Sequence, residues 1–166
     1  MDSLECIKKR RSVREYSAKP ITKEALEKIV DAGRFAATAR NIQPWEFVVI
    51  TDPSTLKRIA EIAENGRFIS GAKAGIAVYC SDTKYYLEDG CAATENMLIA
   101  ATGIGIASCW VAGDKKQYSN DISNLLHVPS AFKLVSIISL GVPESAQVFK
   151  IKEKRPLKEV LHWEKF

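Results

Sequence analysis

Seventeen consecutive residues, Met97–Gly113, carry no charge. A run like that has to leave water, either in a bilayer or in the middle of a core. Seventeen residues is the lower limit for a membrane span. Three glycines, two hydroxyl side chains and an acidic approach favour a buried helix that runs into a buried strand. The pattern predicts a central helix from Tyr85 to Thr102, apolar nearly all round, with Leu87, Cys91, Thr94, Leu98 and Thr102 on its main stripe. Gly103 then turns the chain into a strand that reaches Trp110.

The flanking sequence supplies partners for such a centre. Thr22 caps a helix in which Leu26, Ile29, Val30 and Gly33 share a face, with Ile21 stapled onto Leu26. Phe47–Ile50 is rich in β-branched residues and reads as a strand, followed by the cap and first-turn proline Asp52-Pro53 of a helix that buries Leu56, Ile59, Ala60 and Ala63. Asn65-Gly66 stops that helix. Gly75–Cys80 and Leu134–Leu140 are further strands, and Ile122, Leu125 and Leu126 mark a short helix. Helices and strands alternate without a strict βαβ beat, so the class is α+β, a mixed sheet flanked by helices. With 166 residues the prior is a single domain over 1–166. A compact chain of this mass exposes roughly 8,000 Å² of roughly 27,000 Å² unfolded, enough burial for a real core.

The net charge is +4, with Lys and Arg interleaved with Glu except at Lys8–Arg14 and Lys150–Arg155. That spacing lacks the dense basic stripe of a nucleic-acid surface, so no nucleic-acid partner is expected, and no membrane partner either. Cys6, Cys80, Cys91 and Cys109 form no CxxC pair and read as reduced, buried thiols. The acidic start and the absence of an N-x-[ST] sequon predict a cytoplasmic protein. Phosphate-loop, HExxH and GxSxG motifs are absent, and no metal site is expected. Gly103-Ile104-Gly105 half-matches a dinucleotide fingerprint, but it follows a helix and enters a strand, the reverse of the required context.

The informative segment is Lys9-Arg10-Arg11-Ser12-Val13-Arg14-Glu15-Tyr16. In an extended chain Arg10, Ser12 and Arg14 point the same way. Guanidinium forks and a hydroxyl together suit a phosphorylated ligand. Asn41 and Gln43 stand before Pro44-Trp45, and amide side chains can read donors and acceptors on a heterocycle edge. Trp163 and Phe166 end the chain, large aromatics that dock on the body or are covered by a second subunit.

Taken in order, RRSVREY, NxQPWxF, GIGxxxCWxxG, SLGVPE, KRP and LHWEKF resemble the FMN-dependent nitroreductase family over essentially the whole chain. The resemblance implies a homodimer with a mainly antiparallel sheet, the C-terminal tail packed on the partner, and FMN held at the subunit interface. By that resemblance Arg10, Arg11 and Ser12 meet the phosphate or ribityl chain, and Arg14 reaches the pyrimidine edge. Asn41 and Gln43 order the same edge, while Ala37, Thr38 and Ala39 come from the partner, where the family usually has Pro-Ser-Ser-like residues. Trp110, Ala112 and Gly113 match the run along the flavin, with a backbone N–H facing N5 and glycine permitting close approach to the ring. Arg155 matches a phosphate-binding arginine, with Lys154 as helper. Ala112 stands where the family often has an acid, Glu153 where it has a lysine, and Asn65 or Arg67 near a flavin-edge amide. The implied reaction is ping-pong hydride transfer from NADH or NADPH through flavin N5 to a small-molecule electron acceptor such as a nitroaromatic, a quinone or a flavin. No side chain is required as a catalytic acid, base or nucleophile. Relatives on this scaffold also act as dehalogenases or azoline dehydrogenases or fragment flavin, and an FMN storage or sensing protein without efficient turnover is a further reading.

Overall fold

The structure, a computed structural model, describes every residue from Met1 to Phe166. Its elements in chain order are α1 (Ser3–Lys9), α2 (Lys23–Arg34), β1 (Trp45–Ile50), α3 (Pro53–Ile62), β2 (Ala74–Ser81), α4 (Tyr86–Gly103), β3 (Ala107–Ala112), α5 (Ser119–Leu125) and β4 (Phe132–Gly141). The strands form one sheet in the order β1-β2-β4-β3, and each neighbouring pair is antiparallel. The parallel component is a single bridge between Ser12 and Ser108.

The uncharged run is the last two turns of α4, from Met97, followed by β3. No helix is long and apolar enough to cross a membrane. The buried stripe of α4 shares Thr94, Leu98 and Thr102 with the expected one and departs from it at Leu87 and Cys91. It consists of Asp89 and Gly90, Ala93 and Thr94, Met97 and Leu98, and Ala101 and Thr102, with Leu87 and Cys91 only half-buried. Small residues on that stripe let neighbours come close. A Cβ on Gly90 would lie 2.7 Å from Val135 Cγ2, and one on Gly33 of α2 would lie 2.9 Å from Met97 Cγ. At the far end Gly105, at φ +78°, makes the left-handed turn from α4 into β3.

The sheet is covered on both faces, so β2 is buried almost end to end and has no polar alternation. Ile76, Val78 and Cys80 pack with α2 and α4 in one cluster, and Ala77 and Tyr79 pack with α3 and α5 in another. The pairing of β2 with β4 shifts register between Val78 and Tyr79, which leaves Val135 as an extra residue. Its carbonyl accepts from the N–H groups of both Gly113 and Asp114, at 3.0 and 3.2 Å, and so ties down the turn after β3.

All four cysteines are free, Cys91 half-buried and the others buried. The Cys80 thiol is pushed up to about 12, first by burial and then by Asp89 and Cys91 nearby. A disulfide reagent at pH 8 should therefore leave Cys80 unmodified until the protein unfolds. Peptide mass mapping before and after denaturant checks this, and early labelling of Cys80 would refute it.

From Ile151 to Phe166 every residue is exposed, including Leu157, Val160, Leu161, Trp163 and Phe166. The chain exposes 10,226 Å², roughly a quarter more than a compact chain of its mass. A large apolar tail facing water is characteristic of a surface that another molecule covers.

Candidate functional site

After α1 the chain runs extended past the outer edge of β3. Val13 N–H donates to the Ser108 carbonyl at 2.9 Å beside the Ser12–Ser108 bridge. Tyr16 secures the other end of this segment. Its hydroxyl donates to the Val13 carbonyl at 2.7 Å and lies 2.7 Å from Ser139 Oγ. Burial holds its phenol far above the usual range, so it stays a neutral donor. The Tyr16 ring lies against Gly141, and Ser17 donates through both N–H and hydroxyl to the Val142 carbonyl, at 2.8 and 2.9 Å. Residues 10–16 are thus clamped to the ends of β3 and β4.

This segment forms one wall of an open cleft of about 740 Å³, and the opposite side comes from the far end of the chain. Arg10, Arg11, Ser12 and Arg14 line it together with Glu144, Ser145, Lys152 and Lys154. Five cations face two carboxylates, Glu15 and Glu144, so the cleft carries a net positive field. Both residue parities line the cleft, so the expected one-sided alternation of Arg10, Ser12 and Arg14 does not single them out. Arg10 is steadied by Glu95 of α4, Nε to Oε1 3.4 Å, and Arg14 lies over the Phe68 ring at 5.4 Å. Arg11 Nη1 donates to the Lys8 and Arg10 carbonyls, which leaves Nε and Nη2 without a partner in the chain. Burial raises the Cys109 thiol at the base of this segment, while Arg14, Ser12 and Arg10 pull it the other way.

The amide loop lies elsewhere. None of residues 37–43 lines the cleft. Instead Thr38 donates to Asp89 Oδ2 at 2.8 Å and Ala39 N–H to Asp89 Oδ1 at 3.3 Å. Gln43 Nε2 turns back to the Asn41 carbonyl at 3.3 Å, and Ala37, Asn41 and Gln43 are exposed. Asp89 and Glu95 both belong to α4, six positions apart, about 9 Å along the axis and about 120° around it. The two sets of candidate residues therefore stand on different faces of the central helix.

Trp110 is half-buried and Ala112 exposed at the end of β3. Gly113 needs its small size for a different reason from the one expected. A Cβ there would sit 2.5 Å from Leu134 Cγ, inside the core, and its N–H is already given to Val135. The glycine serves packing, and the Gly113 and Asp114 amides are unavailable to a ring nitrogen. Arg155 does not line the cleft either. Its Nη2 donates to the Glu159 carbonyl at 3.0 Å, and Lys152, two residues from the expected Lys154, lines the cleft with it. Glu153 is exposed outside the cleft. Asn65 and Arg67 are exposed at the entry to a short turn, Arg67–Gly71, which carries the Phe68 ring under Arg14. Lys152, Phe68 and Glu95 were not singled out from sequence. Lys152 lay within the basic cluster, whereas Phe68 and Glu95 carry no local signal.

Comparison with known proteins bears on the family and the fold. The sequence model of the nitroreductase family matches residues 7–90 and 81–142. A protein of Archaeoglobus fulgidus, provisionally named NADH dehydrogenase/NAD(P)H nitroreductase, is 35% identical over 98% of this chain and 99% of its own. A crystal structure from Parabacteroides distasonis under the same provisional name superposes with a TM-score of 0.91 at 26% identity, over 99% of this chain and 98% of its own. A provisionally named nitroreductase from Desulfovibrio desulfuricans, solved in complex with FMN, gives 0.82 at 27% identity, over 100% of this chain and 98% of its own. With motifs, fold and full-length matches in agreement, the chain belongs to the nitroreductase family.

Proposed function

We propose that this chain is an FMN-dependent NAD(P)H oxidoreductase that works as a homodimer, each 1–166 chain forming one domain. The observation that carries the reading is the basic cleft, where cations from both ends of the sequence meet around a space of about 740 Å³. That volume suits a nucleotide-sized ligand. The partnerless Arg11 nitrogens and the excess of cations fit a phosphorylated one.

In this reading Arg10, Arg11, Ser12, Lys152 and Lys154 bind the phosphate and ribityl end. Arg14, held over Phe68, supplies a fixed positive charge that favours added negative charge on the ring. Asn41 and Gln43, with Ala37–Ala39, stand on the other face of α4 and serve the site of the partner subunit. Trp110 and Ala112 line the ring. The chemistry FMN supplies when bound is transfer of a hydride equivalent from NADH or NADPH to a small acceptor, a nitroaromatic, quinone or flavin, in two successive half-reactions. Anaerobic mixing of the FMN-loaded protein with NADH or NADPH, followed by an acceptor, tests this. Bleaching of the flavin band and its return on adding acceptor are expected. A flavin that NAD(P)H cannot reduce would remove the plain oxidoreductase reading in favour of a storage role.

The exposed apolar tail supports the dimer. Deleting Leu157–Phe166 should shift sedimentation towards the monomer and weaken flavin retention. A truncated protein that remains dimeric and yellow would take the tail out of the interface.

A further inference from the structure

We infer that Asp89, acting through Thr38, is a positioning residue that sets the flavin-edge amide loop, an inference that rests on the functional reading above. Asp89 is a carboxylate only 5% exposed, on the buried stripe of α4 where the other large side chains are Met97 and Leu98. A carboxylate in such a place is retained only if hydrogen bonds satisfy it. Both of its oxygens are used on one target, the loop at 38–43. Oδ2 accepts from the Thr38 hydroxyl and Oδ1 from the Ala39 amide. Thr38 Oγ1 in turn accepts from the Gln43 N–H at 3.2 Å, closing the loop on itself.

The loop needs such a clamp. Arg40, Asn41 and Gln43 have φ of 54°, 56° and 52°, a left-handed conformation that side chains other than glycine seldom adopt. Strained residues of this kind persist only where surrounding contacts over-determine them. Here the contacts come from Asp89, by way of Thr38, and from the buried Pro44 and Trp45 that follow. The result fixes where the exposed Asn41 and Gln43 side chains stand, which neither amide achieves by contact with the body of the chain. Asp89 touches no ligand-lining part of the basic cleft. Its effect is therefore confined to the half of the site that reads the ring, and the phosphate-binding half is independent of it.

The test compares FMN with riboflavin, which lacks the phosphate, in equilibrium binding to the full-length protein followed by flavin fluorescence. Thr38→Val removes the hydroxyl at nearly constant volume and should weaken both ligands by about tenfold, the value of one hydrogen bond to a charged group. Thr38→Ser restores the hydroxyl and should return both affinities to within about twofold of wild type, about the scatter expected of a neutral exchange. Arg10→Ala, the control in the other half, should weaken FMN by a clearly larger factor than riboflavin, which lacks the phosphate. Asp89→Asn should reproduce Thr38→Val; if that variant fails to fold, the two Thr38 variants still decide the matter. Unchanged binding of both ligands by Thr38→Val, or a loss confined to FMN, would overturn the inference while leaving the functional reading intact. A wild-type protein that binds neither ligand would overturn both.

Discussion

Arg14→Ala should yield a folded protein whose bound flavin is harder to reduce. Arg14 is exposed, lies over the Phe68 ring and makes no side-chain hydrogen bond or ion pair within the chain, so its loss leaves the hydrogen bonds that clamp the segment around Tyr16 in place. Removing a fixed charge that favours the reduced ring costs about 2 kcal/mol, the scale of a hydrogen bond to a charged group. In a two-electron couple this lowers the midpoint potential by about 40 mV. By linkage, affinity for the reduced flavin should fall by about thirtyfold more than affinity for the oxidised flavin. Arg14→Lys keeps a charge but loses the planar stack on Phe68, and should fall between the two. Spectroelectrochemical titration of the three proteins measures the series. An Arg14→Ala protein with full occupancy and an unchanged potential would place the ring away from this residue.

Gly141→Ala should disrupt the site through the fold. The added methyl would stand 2.3 Å from Tyr16 Cγ and 2.4 Å from its Cδ1, a ring whose hydroxyl is held by both Val13 and Ser139. Overpacking of this kind typically costs about 1–3 kcal/mol, and displacing Tyr16 adds the loss of its buried hydroxyl contacts, about 1 kcal/mol each. For a chain of this length the combined effect lowers Tm by roughly 10 °C. Because Tyr16 holds residues 10–16 against β3 and β4, flavin affinity should fall with stability even though Gly141 lines no part of the cleft. Calorimetry with and without FMN checks both effects. A Tm within about 2 °C of wild type, a shift corresponding to under 1 kcal/mol, would mean that Tyr16 is free to move.

Much of this was legible in the sequence because the elements concerned carry local signals. The uncharged run announced α4 and β3, and the caps Thr22 and Asp52 start α2 and α3 where expected, each side chain accepting from the N–H three residues on. The strands read from β-branched content match β1, β2 and β4 with ends one or two residues longer. Helix α1 was not read, because its outward residues Leu4 and Ile7 are as apolar as its inward ones and give no periodicity. The buried stripe of α4 was displaced for a related reason: apolar residues stand on nearly every side of the helix, so they do not by themselves pick out the buried face. Asp89 was the one charge that could have revealed the true face, since it lies in step with Ala93, Met97 and Ala101.

The candidate site divides in the same way. Arg10, Ser12 and Arg14 were found by their alternation within a basic cluster, and the structure sets them with Lys152 and Lys154 in one cleft. The positions of Gly113 and Arg155 could not be read locally. Whether a glycine admits a ligand or a neighbouring leucine depends on the partner strand, here Leu134 of β4. Whether an arginine faces a cleft or its own tail depends on Glu159, four residues away. Both are consequences of tertiary packing that sequence periodicity does not encode.

The most direct measurement is a titration of the purified protein with FMN, followed by gel filtration and an absorbance spectrum of the protein peak. Retention of flavin absorbance in that peak, approaching one FMN per chain, is the expected result. A peak that remains colourless at saturating FMN would contradict the assignment of the basic cleft and the function built on it.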